Sequence, residues 1–244
     1  MTTNRLLSLP RAVHRVASAI GGALLAGLAL AATPAQGAEQ ALRLPEFDFS
    51  ACPTAAELPA GADPGTWRCE VMVATGHLRL GAVDEPLTKP LTITFAEGRV
   101  GGEFRQVFGR MTAAPIRLGR TPLTVTPLYG GYSDFLSNDS RRGELDLTFT
   151  LGAIRPLPSP PPGCSVGSVK TPIHLILRDT DPARVISTDP LVVTFGAEDK
   201  DFTAPATTHC GRLGRIFDRA LALPSPKGSN AIDLDATVAI RPYR

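Results

Sequence analysis

Residues 88–95 read TKPLTITF and residues 188–195 read TDPLVVTF. Five of the eight positions are identical, and Ile93 stands against Val193. Both are runs of β-branched and aromatic residues entered through a proline. That is the composition of a strand, and a proline at strand entry removes no interior ladder bond. The neighbouring blocks extend the match: EFDFS at 46–50 with ELDLT at 144–148, HLRL at 77–80 with HLIL at 174–177, and VFGRMTAAP at 107–115 with IFDRALALP at 216–224. The order is conserved at offsets of 98, 97, 100 and 109, as expected for matched elements separated by loops of varying length. The expected architecture is all-β, a mainly antiparallel β-sandwich with one or two short helices. It is expected to be built from a duplicated β unit, the first copy at about 42–136 and the second at about 140–244. Tandem domains and two halves of one pseudo-symmetric sandwich both satisfy this pattern.

The clearest helical period lies in RLGRIFDRALAL, where Leu213, Ile216, Phe217, Ala220 and Leu221 recur at helical spacing, Arg212, Arg215 and Arg219 take the other face, and Pro224 ends the run. Phe104, Val107, Phe108 and Met111, followed by Pro115, repeat it more weakly. A short helix or helical turn is therefore expected in each unit.

Residues 1–37 read as a cleavable secretory signal: Arg5, Arg11 and Arg15 precede an uncharged Ala/Leu/Gly run that ends in the small-residue pattern Ala35-Gln36-Gly37. The run is too short and too rich in alanine and glycine for a retained membrane helix. The expected location is thus extracellular, with no membrane span after cleavage. Losing the signal removes three of the 25 basic residues and none of the 23 acidic ones, which leaves a nearly neutral chain. Such a chain has no field to attract nucleic acid, anionic lipid or a polycation.

All four cysteines, Cys52, Cys69, Cys164 and Cys210, follow the signal, so two disulfides are expected in an oxidising compartment. Four cysteines permit three connectivities. Cys69 and Cys164 occupy similar places in the two units, so the simplest pairing is Cys52–Cys69 with Cys164–Cys210; a Cys69–Cys164 bond across the units is the competitor. PTAAELPAGADPGTWR before Cys69 and RPLPSPPPG before Cys164 are turn-rich and read as surface loops.

No catalytic motif stands out. There is no G-x-S-x-G elbow beside His77, His174 or His209, no phosphate-cradling glycine loop, and no His or Cys spacing of a zinc site. Asp179 and Asp181, and Glu198, Asp199 and Asp201, lack the EF-hand pattern and read as solvated loops. No cofactor and no metal are expected. The nearest thing to a recognition segment is LYGGYSDF at 128–135, where Tyr129, Tyr132 and Phe135 alternate with glycine and polar residues. Exposed rings with such neighbours suit sugar or peptide faces, while a glycine-hinged junction between units would use the same residues for packing. Trp67, beside Cys69, is expected in the core.

TWRCEVMVATGHLRLG, TKPLTITFAEG, FRQVFGRMTAAP and CGRLGRIFDRALALPSPKGSNAIDL together resemble a group of secreted proteins from GC-rich Gram-positive (actinobacterial) bacteria that carries no assigned activity. The resemblance implies export and a β-rich fold, and it brings no functional residues. The expected function is that of a non-catalytic extracellular module that binds a cell-wall polysaccharide or an extracellular protein, with Tyr129, Tyr132 and Phe135 as the candidate contact. The alternatives are a secreted hydrolase whose acidic residues converge from distant strands and a regulator or inhibitor of a secreted partner. The hydrolase requires two carboxylates facing each other across a cleft.

Overall fold

A computed structural model describes residues 44–243 except 139, 140 and 156. The expected signal, residues 1–37, lies outside the described residues. From Leu44 onward the chain forms one compact unit. Its strands are β1 (Arg68–Leu80), β2 (Val83–Pro86), β3 (Leu91–Val100), β4 (Glu103–Thr112), β5 (Ile116–Arg117), β6 (Leu123–Asp134), β7 (Gly143–Ala153), β8 (Ser165–Val166), β9 (Ile173–Thr188), β10 (Leu191–Asp199), β11 (Thr207–Thr208) and β12 (Ala231–Pro242). Among the described residues, one α-helix, α1 (Gly214–Leu221), and four single 3-10 turns complete the elements.

Every strand pairing is antiparallel. The central path runs β6-β7-β9-β10-β12-β1-β3-β4, with β5 on β6, β2 on the far half of β1, β8 on β7, and β11 on β8. β12 returns from the C-terminus to pair with β1 from Arg68↔Pro242 to Arg79↔Ala231. The sheet curls until its two ends meet: Phe108 of β4 stacks on Tyr129 of β6 with ring centroids 3.6 Å apart. No ladder joins β4 to β6, so the sheet rolls into a sandwich-like shape that stays open along this seam.

Side chains of the concave face fill one continuous core. Alternation places Met72, Ala74, Leu78 and Leu80 of β1 inside, and Leu145, Leu147, Phe149 and Leu151 of β7 opposite them. The convex face carries a second, smaller cluster, in which Trp67, 1 % exposed, packs with Leu58 and Ala96. Gly98 makes room for the indole, since a Cβ there would lie 2.5 Å from the ring. The segment before β1 supplies this cover. Ala51 accepts a hydrogen bond from the Thr94 hydroxyl (2.9 Å), and the Tyr243 hydroxyl donates to the Pro53 carbonyl (2.5 Å).

The disulfides are Cys52–Cys69 and Cys164–Cys210, the simpler of the two weighed pairings. The first ties the cover segment to the start of β1, and the second ties β8 to the entry of α1. The stretch before Cys69 runs as loops and 3-10 turns, and the described residues of the stretch before Cys164 run as loop. β1 can serve two partners because it bends at Gly76, where φ is +148° and a Cβ would sit 1.8 Å from the Asp233 carbonyl oxygen. Before that point β1 pairs with β3, and after it with β2.

The matched sequence blocks fold alike only in part. TKPLTITF and TDPLVVTF are both strands, β3 and β10, each entered at its proline. By contrast, VFGRMTAAP runs along β4 while IFDRALALP forms α1, and EFDFS enters a 3-10 turn while ELDLT lies in β7. The helix expected around Phe104–Met111 is thus a strand. Its apolar residues meet β3 on one edge and the Tyr129 ring on the other, so tertiary pairing overrides a weak helical period. In α1, Phe217 and Leu221 are buried as expected, but Ile216 is half exposed.

Candidate functional site

The open end of the rolled sheet holds a pocket with a cavity volume of about 250 Å3. Strand register builds its main wall. Phe95, Glu70 and Ile240 form one row across β3, β1 and β12, and Met72, Val238 and Val193 form the next across β1, β12 and β10. Phe104, Phe135, Leu136 and Leu177 close the other side. Phe135 packs on Phe95 with centroids 4.7 Å apart, and Leu136 at the rim is 46 % exposed. The lining is therefore mostly aliphatic and aromatic with a few convergent polar groups, the usual constitution of a small-molecule site.

The polar groups are two carboxylates, two arginines and Ser137. Glu70 and Glu97, each 7 % exposed, enter the concave face from neighbouring strands, and Arg68 lies between them at the mouth. The Arg68 Nε–H donates to Glu97 Oε1 at 2.8 Å, and its Nη2 reaches the same oxygen. Gln106 Nε2 donates to Glu97 Oε2 at 2.8 Å, while Gln106 Oε1 accepts from the Phe135 N–H at 2.8 Å. Glu97 is thus fully engaged. Glu70 is not: its Oε1 lies 2.8 Å from Arg68 Nε, but that nitrogen's one hydrogen points to Glu97, and Oε1 is buried without a hydrogen-bond partner. Burial, followed by the negative charge of Glu97, pushes the Glu70 carboxyl up to about 8 against the opposing pull of Arg68. At neutral pH the neutral acid predominates.

Arg142, on the facing wall, is held by Asp179 through two bonds of 2.5 and 2.8 Å, and its guanidinium lies 4.7 Å from the centre of the Phe195 ring. Its charge and its planar face are both committed.

The segment 128–135 divides between two places. Gly130 and Gly131 form a bulge within β6, where the five residues from Tyr129 to Ser133 span the three from Leu147 to Leu145 on β7. A Cβ on Gly130 would come within 2.8 Å of the Asp146 backbone. This is a bulge inside a strand and not the hinge between units that the glycines suggested; the chain turns later, after Asp134. Tyr129, half-buried, closes the seam against Phe108, and Phe135 reaches the pocket. Tyr132 remains outside, 44 % exposed, and its hydroxyl donates to Glu144 Oε2 at 3.4 Å. Beside it His174 Nδ1 lies 2.8 Å from Asp146 Oδ1, and Arg141 binds Asp134 and Glu144. His77 stands in a like setting, 3.7 Å from Asp84. Both histidines are exposed partners of surface carboxylates.

The acidic groups noted in the sequence do not converge. Asp179 holds Arg142, Glu198 pairs with Lys200, and Asp199 accepts from the Ile176 and Asp201 N–H groups, both at 2.7 Å. Among the described residues no three His, Cys, Asp or Glu side chains are placed to share a metal ion, and no helix is long and apolar enough to cross a membrane.

Glu70 and Glu97 were not singled out from the sequence, although a signal was present. Each is a lone acid in an otherwise apolar strand, in RCEVMVA and LTITFAEG. Alternation puts each on the same side as buried neighbours, Met72 and Phe95 respectively. No protein-family model, curated protein or solved structure matches this chain.

Proposed function

We propose that this protein is an exported, disulfide-stapled β module that binds a small, largely apolar ligand in the pocket at the open end of its sheet. One observation carries the reading: six apolar side chains, Met72, Phe95, Phe104, Phe135, Val193 and Val238, converge on one cavity instead of filling it. Protein interiors are ordinarily close-packed. The volume of about 250 Å3 lies above the roughly 150 Å3 that admits benzene and just below the range for drug-sized ligands, so the occupant is a single substituted ring or a short branched chain.

Recognition suits the polar groups better than hydrolysis does. Glu70 and Glu97 stand side by side on paired strands and contact the same arginine nitrogen, whereas glycoside hydrolysis places its carboxylates on either side of the scissile bond. The two disulfides agree with an oxidising, extracellular setting, as do the signal-like N-terminus and the resemblance to actinobacterial secreted proteins. A role at the cell envelope follows from that setting, with Tyr132 as the exposed ring for a polysaccharide or protein contact.

The test is a thermal-shift panel of small aromatic and branched aliphatic compounds on the oxidised protein and on Val193→Trp, which fills the cavity from β10. Members of the panel raise the midpoint of the wild type and leave that of Val193→Trp unchanged. Equal shifts in both proteins would remove the pocket from the account.

A further inference from the structure

We propose that the pocket selects ligands carrying one ammonium group on a short apolar body, with the nitrogen seated against the Glu70 carboxyl. The inference rests on the binding role proposed above and names the chemistry of the head group.

The argument begins with what the pocket leaves unmatched. Every charged group facing Glu70 is accounted for. Arg68, on the same strand, donates to Glu97 on β3 while its Nε stands 2.8 Å from Glu70 Oε1, so one arginine charge is shared by two carboxylates, and Gln106, from β4, binds Glu97 as well. Arg142, before β7, is neutralised by Asp179 of β9. β12 and β10 present only apolar side chains to the cavity, Ile240, Val238, Val193 and Phe195. With Arg142 matched by Asp179 and Arg68 shared between Glu70 and Glu97, an ionised Glu70 leaves the two carboxylates with one uncompensated negative charge, next to a cavity that the Glu70 side chain, 93 % buried, lines. A cation fits that charge, and its N–H donors suit a carboxyl that lines the cavity. A neutral hydroxyl would fill the donor position but would not repay the desolvation of a carboxylate. An anion would meet Glu97 and Glu70 with no uncommitted arginine to receive it.

The seating is coupled to a proton. At neutral pH Glu70 is held mostly as the neutral acid by burial and by Glu97. When R–NH3+ enters, the Glu70 carboxyl gives its proton to the solvent and the resulting carboxylate pairs with the ammonium: one proton leaves for each cation bound, and total charge is conserved. Apparent affinity therefore rises with pH, by at most about tenfold per pH unit, and levels off once the free carboxyl ionises near 8.

The experiment is isothermal titration calorimetry of the oxidised full-length protein with three ligands of nearly equal size: 2-phenylethylamine, 2-phenylethanol and phenylacetate. Each is run at several pH values below 8 and in two buffers of different ionisation heat. The amine is expected to bind at least about tenfold more tightly than the alcohol near pH 8, with proton release approaching one per ligand at pH 6–7. Glu70→Gln abolishes the proton release and the preference for the amine, and leaves the alcohol's affinity within about threefold. The pH series on the wild type does not depend on how the variant folds. Alcohol or acid binding as tightly as the amine, or amine binding without proton release, overturns this inference and leaves the pocket's binding role intact. Failure of all three ligands to bind at millimolar concentration overturns both.

Discussion

Glu70→Gln tests the buried carboxyl without any ligand. The sign follows from the direction of the shift. A carboxyl titrating near 8 in the fold and near 4.5 in the unfolded chain is neutral in both states at low pH and disfavours neither. Above pH 4.5 the unfolded chain ionises first, and the fold loses stability by up to about 1.4 kcal/mol per pH unit until the folded carboxyl ionises too. Stability present below pH 4.5 is thus lost as pH rises towards 8, with an upper limit of about 4 or 5 kcal/mol. For a chain of this size a urea m-value of about 2–3 kcal/mol/M converts that loss into a fall of roughly 1–2 M in the unfolding midpoint. Glutamine keeps the side chain's shape and removes its titration, while Arg68 retains Glu97. Trp67, the only tryptophan in the chain and a buried one, reports unfolding by fluorescence. The midpoint of the wild type is expected to fall relative to that of Glu70→Gln between pH 5 and 8, because the difference cancels the titrating groups that do not touch Glu70. Parallel profiles for the two proteins would refute the reasoning.

Three further outcomes follow from the packing. Trp67→Ala empties the convex cluster with Leu58 and Ala96 and costs about 3–5 kcal/mol in denaturant unfolding; a loss below about 1 kcal/mol would mean the cover segment contributes little. Gly76→Ala forces a Cβ into the Asp233 carbonyl at a positive φ and costs at least about 3 kcal/mol, so a variant of wild-type stability would contradict the bend in β1. Replacing Cys164 and Cys210 by serine opens a loop with a sequence separation of 46 and lowers stability by about 4 kcal/mol, against about 3 kcal/mol for the Cys52–Cys69 pair, whose separation is 17. The order of the two losses is read from their unfolding midpoints.

Features set by local physics are legible in the sequence, and the spacing at Phe104–Met111 is the exception. Pro90 and Pro190 mark strand entries because a missing N–H is tolerated only there, and Phe217 and Leu221 mark the buried face of α1 because the helical period is short and clean. At Phe104–Met111 the same spacing of apolar residues serves a strand flanked by β3 and the Tyr129 ring. Only long-range pairing decides between those outcomes. The pocket was less legible still. Glu70 and Glu97 are 27 residues apart in the chain and meet because β1 and β3 pair in one register. Val193 reaches the same wall only through β12, from the far end of the chain. Of the candidate segment, Phe135 alone lines the pocket, because the Gly130–Gly131 bulge and the turn after Asp134 decide which ring faces inward.

The most direct measurement of the central claim is 13C-methyl NMR of the methionines during titration with small aromatic ligands. Met72 lines the pocket, whereas Met111 is buried in the core away from it. A saturable shift of the Met72 methyl resonance, with Met111 unmoved, is the predicted result. If neither resonance moves at millimolar ligand, or if both move together, the pocket is not a binding site and the proposed function is contradicted.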